Sequence, residues 1–497
     1  MTQFRLVLAV LALATLKTTA FGQAKSLEAK PTESWAIIML GENRVGYSRT
    51  KVTPYSEGRR RMIRSTEETR LKVKRFGQTI QMMTRMATVE EENGILKSFE
   101  MQVTNPPAEP STTKGVVENN RLKLTTLLAG KEQTRTVNWD KTAKAPGWQD
   151  RSLKNKPLKP GEKRTLRLFI PAFNKISDVE ISAGKREKTV LQDGTSRELL
   201  RTKITQSILP AMPTTAWLDS TGVTLRSEAD FLGTKMITFQ VPAEVALQTI
   251  SGAELDIAVN TLVHLDKPIK KGHRSKKVMY RIKVPGEGVA SIIPASATQT
   301  VKAIDGETAE VTVTSAKTPT GQKHVRIDQR FLKATPFLQT NDTRVKDHAR
   351  RATAGETNHW KICTNMEKYV HRELKSKNFS TALASAAEVA ESLEGDCTEH
   401  AVLLAAMLRA QRIASKVAVG VVYIESQRAF GGHMWTEAHV DGRWVPLDPT
   451  MGRGGIGAAH IKLAECDFSD DAPSPVSSFL PLFNLMGNME IEVISAE

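Results

Sequence analysis

From about residue 25 to residue 242, hydrophobic and polar residues alternate in short runs separated by turn residues. Arg121–Leu128, Thr165–Phe169 and Met236–Val241 are such runs, and turn signals stand at Gly41-Glu42-Asn43, Asn93-Gly94, Pro160-Gly161 and Asp193-Gly194. A period of two with this punctuation predicts antiparallel strands, arranged as a sandwich or half-barrel rather than as βαβ units. Trp217-Leu218-Asp219-Ser220-Thr221-Gly222 reads as a strand running into a tight turn. Residues 243–335 form a second β-rich region, in which Met279–Val284, Glu310–Thr314 and His324–Asp328 alternate. A small immunoglobulin-like sandwich fits that length.

From about residue 336 the period changes. Ile362, Met366, Tyr369, Val370 and Leu374 recur at helical spacing, and Ala382–Leu393 is an alanine-rich helical run that Gly395 is placed to end. The expected fold class is therefore multi-domain, with antiparallel all-β regions followed by an α+β region. The expected divisions are 1–24, 25–242, 243–335 and 336–497.

The first segment is read as a signal peptide. Arg5 precedes the largely apolar Leu6–Leu16, Lys17 closes it, and small residues follow, with cleavage expected after Ala20 or Ala24. Eleven residues are too few to span a bilayer. The mature protein is expected to be exported, periplasmic or extracellular. No cysteine near the cleavage point offers an acceptor for a lipid anchor.

Charge adds a second division. After residue 340 there are 16 Lys and Arg against 21 Asp and Glu; before it there are 54 against 33. Basic clusters at Arg59–Arg61, Lys72–Arg75 and Lys270–Lys277 either suit an acidic cell-envelope polymer or an anionic membrane surface as partner, or are solvated charged edges of strands. An exported protein rarely meets nucleic acid, so none is expected. Three cysteines in 497 residues exclude a disulfide-framed scaffold.

One of those cysteines carries the chemistry. In Gly395-Asp396-Cys397-Thr398-Glu399-His400, Asp396 and Glu399 have capping-box spacing, which makes Cys397 the first residue of a strongly apolar helix. The unpaired N–H groups and dipole of a helix start favour a thiolate, while the two carboxylates oppose it, so a basic partner is needed. Downstream, His433–Val440 and Arg443–Thr450 flank Asp441-Gly442, a strong two-residue hairpin signal. That turn pairs residues whose numbers sum to 883 and sets His433 and Asp448 diagonally on one face. A carboxylate there holds one imidazole nitrogen and leaves the other for the Cys397 thiol.

These three segments, in this order, resemble the bacterial transglutaminase-like superfamily over roughly residues 340–460. The resemblance implies a papain-like core. Cys397 would be the nucleophile, His433 the general base and acid, and Asp448 the residue orienting that histidine. It implies acyl transfer or hydrolysis through a thioester on protein or peptide carboxamides, with no cofactor. Nothing resembles a calcium loop, so no metal is expected. The front faintly resembles the half-barrel domains of exported lipoprotein-handling proteins.

Around this core the sequence leaves choices open. Trp435 and Glu437 share the expected face of His433 and would either contact substrate or pack the sheet. Trp360 and Asn365 are candidates for a second oxyanion donor beside the Cys397 N–H. His400 and His439 are read as non-catalytic. Gly431-Gly432 and Gly452–Gly457 would be mobile rims of a groove or ordinary loops. Cys363 and Cys466 could pair, which would leave Cys397 free. The rival to an enzyme is a binding or structural module of the envelope whose domain has lost catalysis.

Overall fold

The computed structural model describes residues 30–75, 77–104, 110–128, 130–231, 233–249, 256, 261–285, 288–322, 327–375, 384–469, 482, 485, 486 and 488–497. The expected signal peptide at 1–24 lies outside the described residues. None of the described helices is long and apolar enough to cross a membrane. The chain divides into two compact units, residues 1–256 and 257–497.

The first unit is built on one fourteen-stranded antiparallel sheet. Its strands are β1 (Thr32–Leu40), β2 (Asn43–Glu57), β3 (Arg60–Arg75), β4 (Gln78–Glu91), β5 (Leu96–Thr104), β6 (Ser111–Glu118), β7 (Arg121–Leu128), β8 (Lys131–Asn138), β9 (Lys163–Ile170), β10 (Lys175–Val190), β11 (Ser196–Gln206), β12 (Leu209–Leu218), β13 (Thr224–Phe231) and β14 (Thr234–Val241). Each strand pairs with the next in sequence, except that β1 pairs with β14 and leaves β8 and β9 at the two edges. The tight turns fall where the sequence placed them. Asp219 Oδ1 accepts from the Thr221 and Val223 N–H groups at 2.8 and 2.9 Å, and Gly222 takes φ +79°.

The segment after β8 stitches the sheet to itself. Lys144 bridges Ile95 on one side and Leu168 on the other, and its carbonyl accepts from the Phe169 N–H at 2.9 Å. Phe99, Trp139 and Phe169 meet there with ring centroids 5.0 and 5.3 Å apart, in a core shared with Leu96, Leu122 and Leu124. Helix α1 (Trp148–Asn155) follows, and its Arg151 makes a two-pronged ion pair with Glu90, a carboxylate of β4 with 0% exposure. This is the antiparallel all-β front of the expected fold class, built as a single large sheet.

The second unit combines two sheets with helices. Strands β16 (Lys277–Lys283), β17 (Gln299–Ala303), β18 (Thr308–Thr314) and β23 (Glu490–Ala496) form a four-stranded antiparallel sheet in the order β17-β18-β16-β23. The five-stranded sheet runs β15-β20-β19-β22 with β21 on β20, from β15 (Val263–His264), β19 (Ser415–Ile424), β20 (Ala429–Val440), β21 (Arg443–Leu447) and β22 (His460–Cys466). The helices are α2 (Thr343–Thr353), α3 (His359–Glu373), α4 (Ala386–Ser392) and α5 (Cys397–Ala410). Expected strand His324–Asp328 falls mostly outside the described residues; Asp328 caps a short turn of 3₁₀ helix.

The sequence divides the chain near 335, whereas β16–β18 share a compact unit with the helices, and β23 from the far end of the chain completes their sheet. A pairing between residues some 200 positions apart leaves no local trace. Helix α5 is apolar on every side because it is buried on every side, with Ala401–Leu408 at 0% exposure. Polar ties fix it to the sheet: Thr436 Oγ1 donates to the Ala401 carbonyl at 2.9 Å, and Ser415 Oγ to that of Ala405 at 2.7 Å.

The Arg151–Glu90 pair gives a test of the first unit. Arg151→Leu strands a buried carboxylate and should cost about 3 kcal/mol. Glu90→Gln in the same protein should recover at least half of that loss in calorimetry of the full chain. Equal losses in the single and double variants would contradict this assignment.

Candidate functional site

The start of α5 is shaped by a close approach. Gly395 has φ +144°, and a Cβ there would lie 2.3 Å from Glu399 Cβ, so a side chain is excluded. The sequence assigned Gly395 to the end of the preceding helix. That helix instead ends at Ser392, with Leu393 taking the left-handed cap at φ +53°. The capping box itself forms as expected. Asp396 Oδ1 accepts the Thr398 N–H at 2.8 Å, and the Asp396 N–H donates to Glu399 Oε2 at 3.0 Å. Cys397 is half-buried at the first helical position. Burial, reinforced by the Asp396 charge, pushes the Glu399 carboxyl up to about 8. The negative charge that Glu399 would set beside Cys397 is correspondingly disfavoured.

The hairpin supplies the partner. Asp441 and Gly442 take φ +53° and +81°, and the register runs from Val440–Arg443 to Thr436–Leu447, each pair summing to 883. Asp448 follows immediately. His433 Nε2 lies 2.9 Å from Asp448 Oδ2, and Cys397 is near enough to the same imidazole to act on its charge. Burial alone would lower the His433 pKa; the Asp448 charge and hydrogen bond, with the Cys397 contact, outweigh it and raise it to about 10. Burial would likewise raise the Asp448 carboxyl, but the His433 charge and the hydrogen bonds of both neighbouring imidazoles hold it well below the ordinary range.

The second of those imidazoles is His460, a residue sequence reasoning missed. Its Nε2 lies 3.0 Å from the same Asp448 Oδ2, and its ring meets Trp435 edge-on at 5.3 Å. Burial lowers its pKa despite the Asp448 bond, so it is a neutral donor; its buried Nδ1 has no partner. His460 arrives on β22 through pairing with β19 (Val422 opposite His460), which the Asp-Gly hairpin does not reveal. Together His433, Asp448 and His460 bring ligand atoms within 4.8 Å of one another, a donor set able to hold a metal ion that the sequence reading does not foresee. The 2.9 and 3.0 Å separations are also ordinary hydrogen bonds, so the set is self-satisfied without one.

A second missed residue is Glu367, fully buried on α3. Its carboxylate accepts from the Asp448 N–H at 3.1 Å and the Gly455 N–H at 3.0 Å, fixing both Asp448 and the glycine-rich loop behind it. Burial, with the Asp448 charge adding to it, pushes its carboxyl up to about 8 against the backbone N–H donors. Its signal in the sequence is an acid interrupting the apolar face made by Ile362, Cys363, Met366 and Val370.

The remaining candidates fall apart from Cys397, His433 and Asp448 or behind them. Trp435 is 2% exposed and lies stacked 6.3 Å from the His433 ring; Glu437 is 4% exposed and bound to Lys462 Nζ at 2.7 Å. Trp435 thus packs within the sheet, and Glu437 belongs to a buried ion cluster. Gly431 and Gly432 are inside β20, paired with Val422 and Val421, because the strand continues to Ala429. His400 is turned back onto the Asp396 carbonyl at 2.6 Å, and His439 packs on Trp444. Trp360 lines a cavity beside the glycine loop, and Asn365 is exposed. All three cysteines are free, with Cys363 and Cys466 buried.

The Glu367 carboxyl gives a test through pH. Its folded pKa of about 8 exceeds the unfolded value of about 4.3. The stability it contributes is thus complete below the unfolded value and lost as pH rises through the folded one. The melting temperature should fall between pH 5 and pH 8, and Glu367→Gln should flatten that fall. An unchanged slope in the variant would contradict the burial argument.

No curated protein matches the sequence. Among solved structures, a candidate cysteine protease from Cytophaga hutchinsonii is 15% identical, covering 44% of this chain and 81% of its own, with a TM-score of 0.30. A beta-barrel-like protein of unknown function from Brucella abortus is 13% identical over 42% of this chain and 95% of its own, at 0.33. A candidate protease from Parabacteroides distasonis is 13% identical over 70% of this chain and 63% of its own, at 0.19. The family model of the transglutaminase-like superfamily matches residues 346–449, the span from α2 through the hairpin to Pro449. The C-terminal unit therefore carries a transglutaminase-like domain.

Proposed function

We propose that this protein is an exported cysteine enzyme that transfers or hydrolyses acyl groups of protein or peptide carboxamides through a thioester. The observation that carries this reading is the buried 2.9 Å His433–Asp448 hydrogen bond, with Cys397 at the start of α5 acting on the same imidazole, which is raised to about 10. An imidazolium beside a sulfur at a helix start favours the thiolate. The thiolate adds to the carboxamide carbonyl, and the Cys397 backbone N–H is one donor to the developing oxyanion. On collapse the C–N bond breaks and His433 gives its proton to the leaving amine. Water or a second amine then attacks the thioester, His433 takes its proton, and the thiolate returns. Choice of acceptor separates hydrolysis from crosslinking. No step calls for a cofactor.

Within this mechanism His460 is a positioning residue. Its bond to Asp448 Oδ2 restricts the carboxylate that aims His433. Export is supported by the basic and apolar start of the chain, and attachment to an acidic envelope polymer or anionic membrane surface by the basic excess before residue 341.

Turnover is tested with a glutamine peptide, reading ammonia release and amine incorporation. Cys397→Ala and His433→Ala should each reduce the rate by at least about 1,000-fold with melting temperature preserved. His460→Ala should lower kcat by about tenfold with KM unchanged and shift the acid limb of the pH profile, as expected for a group acting through His433. Full activity in Cys397→Ala would sink the mechanism.

A further inference from the structure

Beside the triad lies a cavity of about 540 Å³, within the usual range for ligand sites. Its walls are the segments 273–275, 315–318 and 453–457, with Trp360 and the strand residues Val445 and Pro446. Two backbone bonds and one from a side chain sew these walls together. Ser315 N–H donates to the Lys276 carbonyl at 2.8 Å, Ala458 N–H to that of Ser275 at 3.0 Å, and Arg443 Nη2 to that of Lys317 at 2.6 Å. The cavity is therefore framed by fixed main chain.

Its charge is one-sided. Arg274, Lys317 and Arg453 line it, no Asp or Glu does, and none of the three cations has an ion-pair partner among the described residues. Uncompensated arginines on a concave, partly apolar wall recognise carboxylate or phosphate groups. Two links join the cavity to the reacting residues. The His273 ring is 5.9 Å from the His460 ring, and the lining residue Gly455 shares the Glu367 carboxylate with the Asp448 N–H.

We propose that this cavity is a substrate subsite that takes a side-chain or terminal carboxylate of an acidic peptide. The proposal rests on the acyl-transfer reading for its purpose, but not for its test. Arg274, Lys317 and Arg453 supply the charge, and Trp360 supplies an apolar wall for the chain that carries the carboxylate.

Binding is measured by calorimetry in the full-length Cys397→Ala protein, so that the result does not depend on turnover. The probes are two peptides of equal length around one glutamine, one carrying two glutamates and the other two glutamines in their place, and inorganic phosphate. The acidic peptide should bind at least tenfold more tightly at low salt, with the advantage falling as salt rises. Arg274→Gln/Lys317→Gln/Arg453→Gln should reduce that advantage below threefold. All three residues are exposed, so the fold should survive; Arg453→Glu alone is the second variant and should cut the advantage by more than half. Equal affinity for the two peptides, an advantage that persists in the triple variant, or binding of phosphate without preference for the acidic peptide would each overturn the proposal. Loss of turnover with intact acidic-peptide binding would instead count against the thioester mechanism alone.

Discussion

A carboxylate with no access to water has to be compensated on all sides, and Asp448 is such a group at 0% exposure. Its Oδ2 receives two imidazoles, its Oδ1 receives the Thr450 N–H at 2.9 Å, and its own N–H is held by Glu367. Each partner comes from a different element: His433 from β20, His460 from β22, Glu367 from α3. Satisfying one buried charge thus fixes the relative placement of two strands, a helix and the glycine-rich loop. The raised pKa of His433 follows from the same compensation, since the imidazolium is the strongest of the partners. Structure and chemistry here depend on one electrostatic constraint.

The helix start meets a related problem in the opposite way. Glu399 is buried beside Asp396, and two carboxylates at that distance cannot both ionise cheaply. Its pKa rises to about 8, so burial disfavours charge on Glu399 while its side chain still accepts the Asp396 N–H. Glu367 behaves alike beside Asp448. In both places a buried acid whose pKa burial raises serves as a hydrogen-bond anchor for the backbone of the neighbouring aspartate.

What the sequence disclosed follows from how local each signal is. The capping box, the Asp-Gly turn and the register from Val440 to Leu447 involve residues within a few positions of each other, and the structure has them as read. The alternation of the front gave strands such as Arg121–Leu128 at the same bounds. His460 was invisible because its place depends on β22 pairing with β19, more than 30 residues away. The completion of the small sheet by Glu490–Ala496 is more distant still. Gly395 shows a different failure: glycine after a helix is a common stop, but here its lack of a Cβ serves the next helix, through contact with Glu399. Glycine marks a special backbone without saying which neighbour requires it. Trp435 and Glu437 share a face with His433 as alternation dictates; their depth, which decides what they do, is set by packing against other strands.

The central claim is that His433, charged through Asp448, holds the Cys397 sulfur ready to react. The most direct measurement is the rate of Cys397 alkylation by iodoacetamide as a function of pH, followed by peptide mass spectrometry, in the full chain and in His433→Ala. Buried Cys363 and Cys466 serve as internal controls. The account predicts rapid modification below about pH 7 that slows markedly when His433 is removed. Reaction that rises only near about pH 8.5, as for an ordinary thiol, in both proteins would contradict it.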